Sequence, residues 1–138
     1  MRLTPYLTID GNAREAIQFY EETLEAKILE ILTFAEMTDN PDSIPEGAKD
    51  RIAHALLQIG ESELMLSDSF PGAPLSRGNH ITVCITLNSI GRSKQVFEAL
   101  QQGGQVKMAL QETNFSPAFG EITDKFGITF LIYTDSQS

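Results

Sequence analysis

From Leu3 to Ile9 the side chains alternate, with Leu3, Pro5, Leu7 and Ile9 on one side and Thr4, Tyr6 and Thr8 on the other, the period of a half-buried strand. The period then lengthens. Asp10-Gly11-Asn12 offers turn and N-cap chemistry, and Ala16, Ile17, Phe19, Tyr20 and Leu24 recur at helical spacing, which predicts a helix over Ala13 to Leu24. Three strand-like runs follow: Lys27 to Ala35, Arg51 to Ile59 and Glu63 to Ser67. A long loop from Met37 to Asp50, with Pro41, Pro45 and Gly47, separates the first two.

The same order returns. Ile81, Val83, Ile85 and Leu87 alternate with His80, Thr82, Cys84 and Thr86, and Asn88-Ser89 then caps a helix that runs to about Gln102 and stops at Gly103-Gly104. Strands over Gln105 to Leu110, Gly120 to Thr123 and Ile128 to Thr134 complete the copy. Leu7-Thr8-Ile9-Asp10 corresponds to Ile85-Thr86-Leu87-Asn88, Thr4 to Thr82, Arg14 to Arg92 and Phe19 to Phe97. The expected fold is therefore α+β, one domain of two βαβββ modules at about 1–70 and 79–138, joined by the Pro- and Gly-rich stretch Asp68 to Gly78.

One helix covers one face of a four-stranded sheet, so the other face of each module needs a partner surface, and two mixed, curled sheets are expected to enclose a cleft. The cleft-facing positions would be Thr4, Tyr6 and Thr8; His54, Leu56 and Gln58; Glu63, Met65 and Ser67; His80, Thr82, Cys84 and Thr86; and Thr129, Leu131 and Tyr133. Such a mixture of hydroxyls, aromatic rings, imidazoles and apolar groups suits a small-molecule pocket better than a dry core.

Composition narrows the function classes. The 138 residues are enough to bury about two-thirds of the unfolded chain's surface without staples. No apolar run nears the roughly 18 residues of a membrane span, and Met1-Arg2-Leu3-Thr4-Pro5 carries no secretory signal pattern, so the expected setting is cytoplasmic, with no membrane partner. A net charge of −9 repels a phosphate backbone and argues against nucleic acid. The single cysteine, Cys84, excludes an internal disulfide or a paired-thiol metal site.

Several runs resemble a known superfamily. Asp10 to Tyr20 with Leu24, and Asp124-Lys125-Phe126-Gly127 before the last strand, look like the vicinal oxygen chelate superfamily. Pro5-Tyr6, Phe34-Ala35-Glu36-Met37, Ile52-Ala53-His54-Ala55, Met65-Leu66-Ser67-Asp68, Gln111-Glu112-Thr113 and Thr123-Asp124-Lys125-Phe126-Gly127 are similar to its PhnB-like branch, which is also labelled glyoxalase- or bleomycin-resistance-like, or demethylubiquinone-methyltransferase-like. The resemblance covers nearly the whole chain. It implies paired βαβββ modules, a twofold homodimer and, in the metalloenzymes of the superfamily, a divalent metal held by His or Glu at positions that map to Thr4, Met65, Thr82 and Leu131. None of these four is an imidazole or carboxylate, whereas a catalytic metal needs about three such ligands. No metal and no other cofactor is expected. A glycine-rich strand-to-helix turn for a nucleotide-like cofactor is missing too.

The expected ligand-binding residues are Tyr6, Thr8, His54, Met65, Ser67, Thr82, Phe115, Phe119, Leu131 and Tyr133. His54 reads either as a pocket residue that binds an anionic or carbonyl ligand, or serves as acid or base, or as a buried imidazole satisfied by a backbone carbonyl. His80 reads as a surface residue. Gln111 to Gly120 is too long for a tight turn and suits a rim over the cleft, or a loop anchored by Phe115 and Phe119 in the core. Two functions stay open: a metal-free binder of an unidentified small molecule, and a lyase, isomerase or dioxygenase that uses His54 with Glu112 as acid and base, or a shifted metal site built from His54, His80 and Glu63 or Glu112.

Overall fold

The structure, a computed structural model, describes residues 1–135, so the last three positions of the second expected module lie outside the described residues. The chain divides into one unit of Met1–Ser76 and a second that begins at Arg77.

The first unit runs β1 (Tyr6–Ile9), α1 (Ala13–Leu24), β2 (Lys27–Thr33), β3 (Ile52–Ile59) and β4 (Ser62–Asp68). Its sheet has the order β1-β4-β3-β2, with β1 parallel to β4 and the other pairs antiparallel. The loop before β3 contains two short 3-10 turns, Pro41–Ser43 and Glu46–Ala48. The second unit repeats the plan with β5 (Val83–Leu87), α2 (Ile90–Leu100), β6 (Gln105–Gln111), β7 (Phe119–Thr123) and β8 (Thr129–Thr134), in the order β5-β8-β7-β6. Each unit is thus a βαβββ module with a mixed sheet.

In each module alternate strand residues pack under the helix. Leu7 pairs with Leu66, and Ala55 with Leu66, just as Ile85 pairs with Ile132, and Gly120 with Ile132. Leu7, Ala55, Leu57, Leu64 and Leu66 are buried with Ala16, Ile17 and Tyr20 of α1, while Ile122, Phe130 and Ile132 are buried with Val96, Phe97 and Leu100 of α2. A Cβ on Gly120 would lie 2.9 Å from Phe97 Cε2, 3.0 Å from the Met108 carbonyl oxygen and 3.1 Å from Leu110 Cα, so glycine is what lets α2 and β6 close on this strand.

Four expectations need correction. The alternation from Leu3 does not extend β1 that far: Leu3 is 94% exposed, and the strand starts at Tyr6. Pro5 has no N–H to give the ladder, although its carbonyl accepts the N–H of Met65. Similarly Ile81 is 75% exposed, because pairing with β8 begins at Val83. Finally, Asn12 does not cap α1 with its side chain. The Asp68 carboxylate does so from the end of β4, accepting the Ala13 N–H at 2.9 Å and the Ile52 N–H at 2.8 Å. Asp68 is therefore the buried last residue of β4, not part of a connecting segment. Ser89 caps α2 as expected, accepting from the Arg92 N–H.

At the matching end of β8, Thr134 stands where Asp68 stands, since Ile9 pairs with Asp68 and Leu87 with Thr134. Its hydroxyl shares a 2.6 Å bond with Ser93 of α2, and Ser116 Oγ donates to its carbonyl at 2.7 Å. The outer strands also match. β2 loses register with β3 between Ile28 and Glu30, and β6 with β7 between Val106 and Met108, so Leu29 and Lys107 are bulged at equivalent places.

Candidate functional site

Side chains on successive strand positions point to opposite faces, so the residues that alternate with the buried set share the face away from each helix. In the first module the register Tyr6 to Met65, Thr8 to Ser67 and Leu56 to Met65 puts Tyr6, Thr8, Leu56, Met65 and Ser67 together there. His54, two residues before Leu56, belongs with them, and its ring centroid lies 6.0 Å from that of Tyr6, with planes 30° apart. β4 lies between β1 and β3, so the two rings reach toward each other over Met65 and Ser67. The His54 imidazole is half-buried and hydrogen-bonds to none of the described residues, which sets aside the satisfied buried imidazole. Ser67 is only 9% exposed, yet its hydroxyl likewise has no partner among the described residues. Toward the other end of this face Glu63 pairs with exposed Arg2 at 2.6 Å, and Leu32 lies opposite His54 on β2.

In the second module the open face carries Cys84, Thr86, Phe119, Glu121, Leu131 and Tyr133, in the register Cys84 to Leu131, Thr86 to Tyr133, Phe119 to Tyr133 and Glu121 to Leu131. Phe115, Phe119 and Tyr133 form an aromatic cluster: Phe115 and Phe119 centroids are 4.9 Å apart, and both rings stand nearly edge-on to Tyr133, at 6.3 and 6.4 Å. The loop that brings Phe115 there is ordered by its own polar groups. Thr113 Oγ1 accepts the N–H groups of Phe115 and Ser116, and buried Ser116 ties the loop to β8. Phe115 remains 46% exposed, so it is not part of the core.

The structure thus gathers Tyr6, Thr8, His54, Met65 and Ser67 on one sheet, and Phe115, Phe119, Leu131 and Tyr133 on or beside the other. Thr82 is exposed just ahead of β5, outside the strand, and His80 is exposed as well. His54 belongs to the first unit and exposed Glu112 to the second. Leu32 and Glu121 were missed. The alternation Phe119, Glu121, Thr123 pointed to Glu121, but Leu32 depends on where β2 meets β3.

The residues at Thr4, Met65, Thr82 and Leu131 do not fit a divalent cation: two hydroxyls, a thioether and a hydrocarbon supply no anionic or imidazole donor. Among the described residues no three His, Cys, Asp or Glu side chains converge as a metal-binding group. No helix among the described residues is long and apolar enough to cross a membrane.

The family described as 3-demethylubiquinone-9 3-methyltransferase matches residues 1–133. Protein YjdN of Escherichia coli (strain K12) is 35% identical over 144 aligned positions, covering 99% of this chain and 97% of its own. The crystal structure of protein PA1353 from Pseudomonas aeruginosa has a TM-score of 0.87 at 32% identity, over 99% of each chain. A PhnB protein from Bacillus cereus, described as a putative 3-demethylubiquinone-9 3-methyltransferase, has a TM-score of 0.80 at 24% identity, over 97% of this chain and 99% of that one. A glyoxylase/bleomycin resistance protein/dioxygenase domain from Frankia sp. EAN1pec shares the fold alone, with a TM-score of 0.70 at 15% identity over 99% and 98% of the two chains.

Proposed function

The chain belongs to the 3-demethylubiquinone-9 3-methyltransferase family, with a PhnB-like, glyoxalase/bleomycin-resistance fold, and on that premise we propose that it binds a small organic molecule on the open faces of its sheets without a catalytic metal. The observation that carries this reading is the Tyr6 and His54 pair above Met65 and an unpartnered Ser67 hydroxyl. Ring faces and a thioether favour an apolar body, while free polar groups fix its orientation. A hydroxyl that no other side chain or backbone group engages is left to water, whose place a ligand oxygen can take. The methyl transfer that the family's description names is not part of the proposal. At the β1–α1 turn the Arg51 guanidinium packs against Gly11, where a nucleotide-like cofactor would need close approach.

The proposal includes the single glyoxalase-like domain of two modules, a cytoplasmic setting and a homodimer, the last supported by apolar Ile28 and Val106 exposed on β2 and β6. Sedimentation that gives a monomer at micromolar concentration overturns the dimer. The binding reading is tested by titrating the isotopically labelled protein with mixed organic fragments while following its amide resonances. Saturable shifts confined to β1, β3 and β4, or to β7 and β8 with Phe115, support it. Shifts confined to α1 and α2, or none that saturate, overturn it.

A further inference from the structure

Resting on that reading, we infer that the first-module face selects an aromatic carbonyl compound, with its ring against Tyr6, Leu56 and Met65 and its carbonyl or carboxylate oxygen taking hydrogen bonds from Thr8, His54 and Ser67.

The argument begins with unused polar groups. Extending the ladder by one step from the Ala55 to Leu66 pair puts His54 opposite Ser67, and Thr8 pairs with Ser67 from the other side. Directly opposed strand residues have Cβ atoms about 5 Å apart, so two hydroxyls and an imidazole converge within reach of a single oxygen atom. None of the three side chains hydrogen-bonds to a described residue; Ser67 is only 9% exposed, but its hydroxyl is not a buried orphan and is left to solvent, which a ligand can displace. The nearby Asp68 carboxylate is on the helix side, occupied by the N–H groups of Ala13 and Ile52, and offers no acceptor to this cluster. Glu63, the other carboxylate of β4, is four residues away, about 13 Å along a strand, and is paired with Arg2. What remains is a set of groups that can all donate, with no fixed acceptor beside them, and that matches an acceptor oxygen.

Apolar surface adjoins this cluster. Met65 and Leu56 are paired neighbours one alternation away, and the Tyr6 ring flanks them. A planar ring stacked there carries its substituent oxygen toward Ser67. A saturated or branched body loses the stacking, and a ring without the oxygen strips water from the Ser67 hydroxyl and replaces it with nothing.

The test uses the full-length protein and four probes: benzoate, acetophenone, ethylbenzene and acetate. Benzoate or acetophenone is expected to shift the Tyr6–Ile9 and Ser62–Asp68 resonances saturably, whereas ethylbenzene and acetate bind about ten-fold more weakly. Benzoate separates an acid from the neutral ketone. Ser67→Ala is expected to weaken the better binder about three- to ten-fold, the worth of one hydrogen bond, while leaving the melting temperature unchanged or higher, since it removes a hydroxyl with no partner. His54→Phe, which keeps a ring beside Tyr6, should weaken binding similarly. A fall in melting temperature for Ser67→Ala with unchanged affinity gives the hydroxyl a structural role and overturns the inference. Ethylbenzene binding as tightly as acetophenone also overturns it but leaves the general binding reading intact. Failure of every probe and every other fragment at this face overturns both.

Discussion

The Oδ1 atom of Asp68 accepts the N–H of Ala13 at 2.9 Å, a bond across 55 residues of sequence that closes the first turn of α1 from the end of β4. The other carboxylate oxygen takes the first N–H of β3, from Ile52. One buried side chain therefore sets where a helix and a strand begin, and its negative charge sits at the positive end of the helix.

Asp68→Ala leaves two buried N–H groups unsatisfied, at about 1–3 kcal/mol each. We expect a loss of about 3 kcal/mol in denaturant unfolding, with Asp68→Asn losing less because its one carbonyl oxygen keeps one of the bonds. A loss under about 0.5 kcal/mol for the alanine variant would contradict this role.

Ser116→Ala removes the link between the 112–118 loop and Thr134. The expected outcome is about 1–3 kcal/mol of destabilisation, with faster amide exchange concentrated at Thr113 to Ala118. Uniform exchange across both modules would show that the loop is not held in this way.

At Gly120 a methyl group meets the Met108 carbonyl and Leu110 Cα as well as the Phe97 ring, and backbone yields less than a side chain. Gly120→Ala should cost about 1–3 kcal/mol. Phe97→Leu in the same chain should recover only part, because it clears one of the three contacts. Full recovery would assign the whole clash to the ring.

Phe115→Ala removes the most exposed member of the aromatic cluster. Its stability cost should be about 1 kcal/mol, the scale of an aromatic pair, while fragment-induced shifts at Phe119 and Tyr133 shrink. Unchanged shifts would place ligand contacts elsewhere on this sheet.

Protein purified without chelator should contain well under one equivalent of zinc, manganese, nickel or iron, and its melting temperature should stay constant as each is added. One tightly bound equivalent, with a melting temperature that climbs with metal concentration, would restore a metalloenzyme reading.

Much of the architecture was legible because it rests on alternation. Tyr6, Thr8, Met65 and Ser67 share a face for the same reason that Leu7, Leu66 and Ile9 are buried, and period two carries that information locally. The doubled module showed in the parallel between Leu7-Thr8-Ile9 and Ile85-Thr86-Leu87. Partnerships between distant segments were not legible. Asn12 has the right chemistry and position for a cap, yet Asp68 takes the N–H group, and no local pattern reveals a competitor 55 residues away. His54 likewise looks like any strand histidine until the strand order brings it toward Tyr6 across β4. The aromatic cluster was half visible: Phe115 and Phe119 stood out in the loop, but their edge-on packing with Tyr133 needs the fold of β8.

The bulged Leu29 and Lys107 sit on the outermost strands of their sheets, where an extended segment from another molecule would otherwise find a straight row of amide donors and acceptors. A kink in that row throws an incoming strand out of phase after a residue or two. Both rims thus carry a built-in obstacle to fibre-like growth, and a second copy that covers Ile28 and Val106 must do so by side-chain packing rather than by lengthening the ladder.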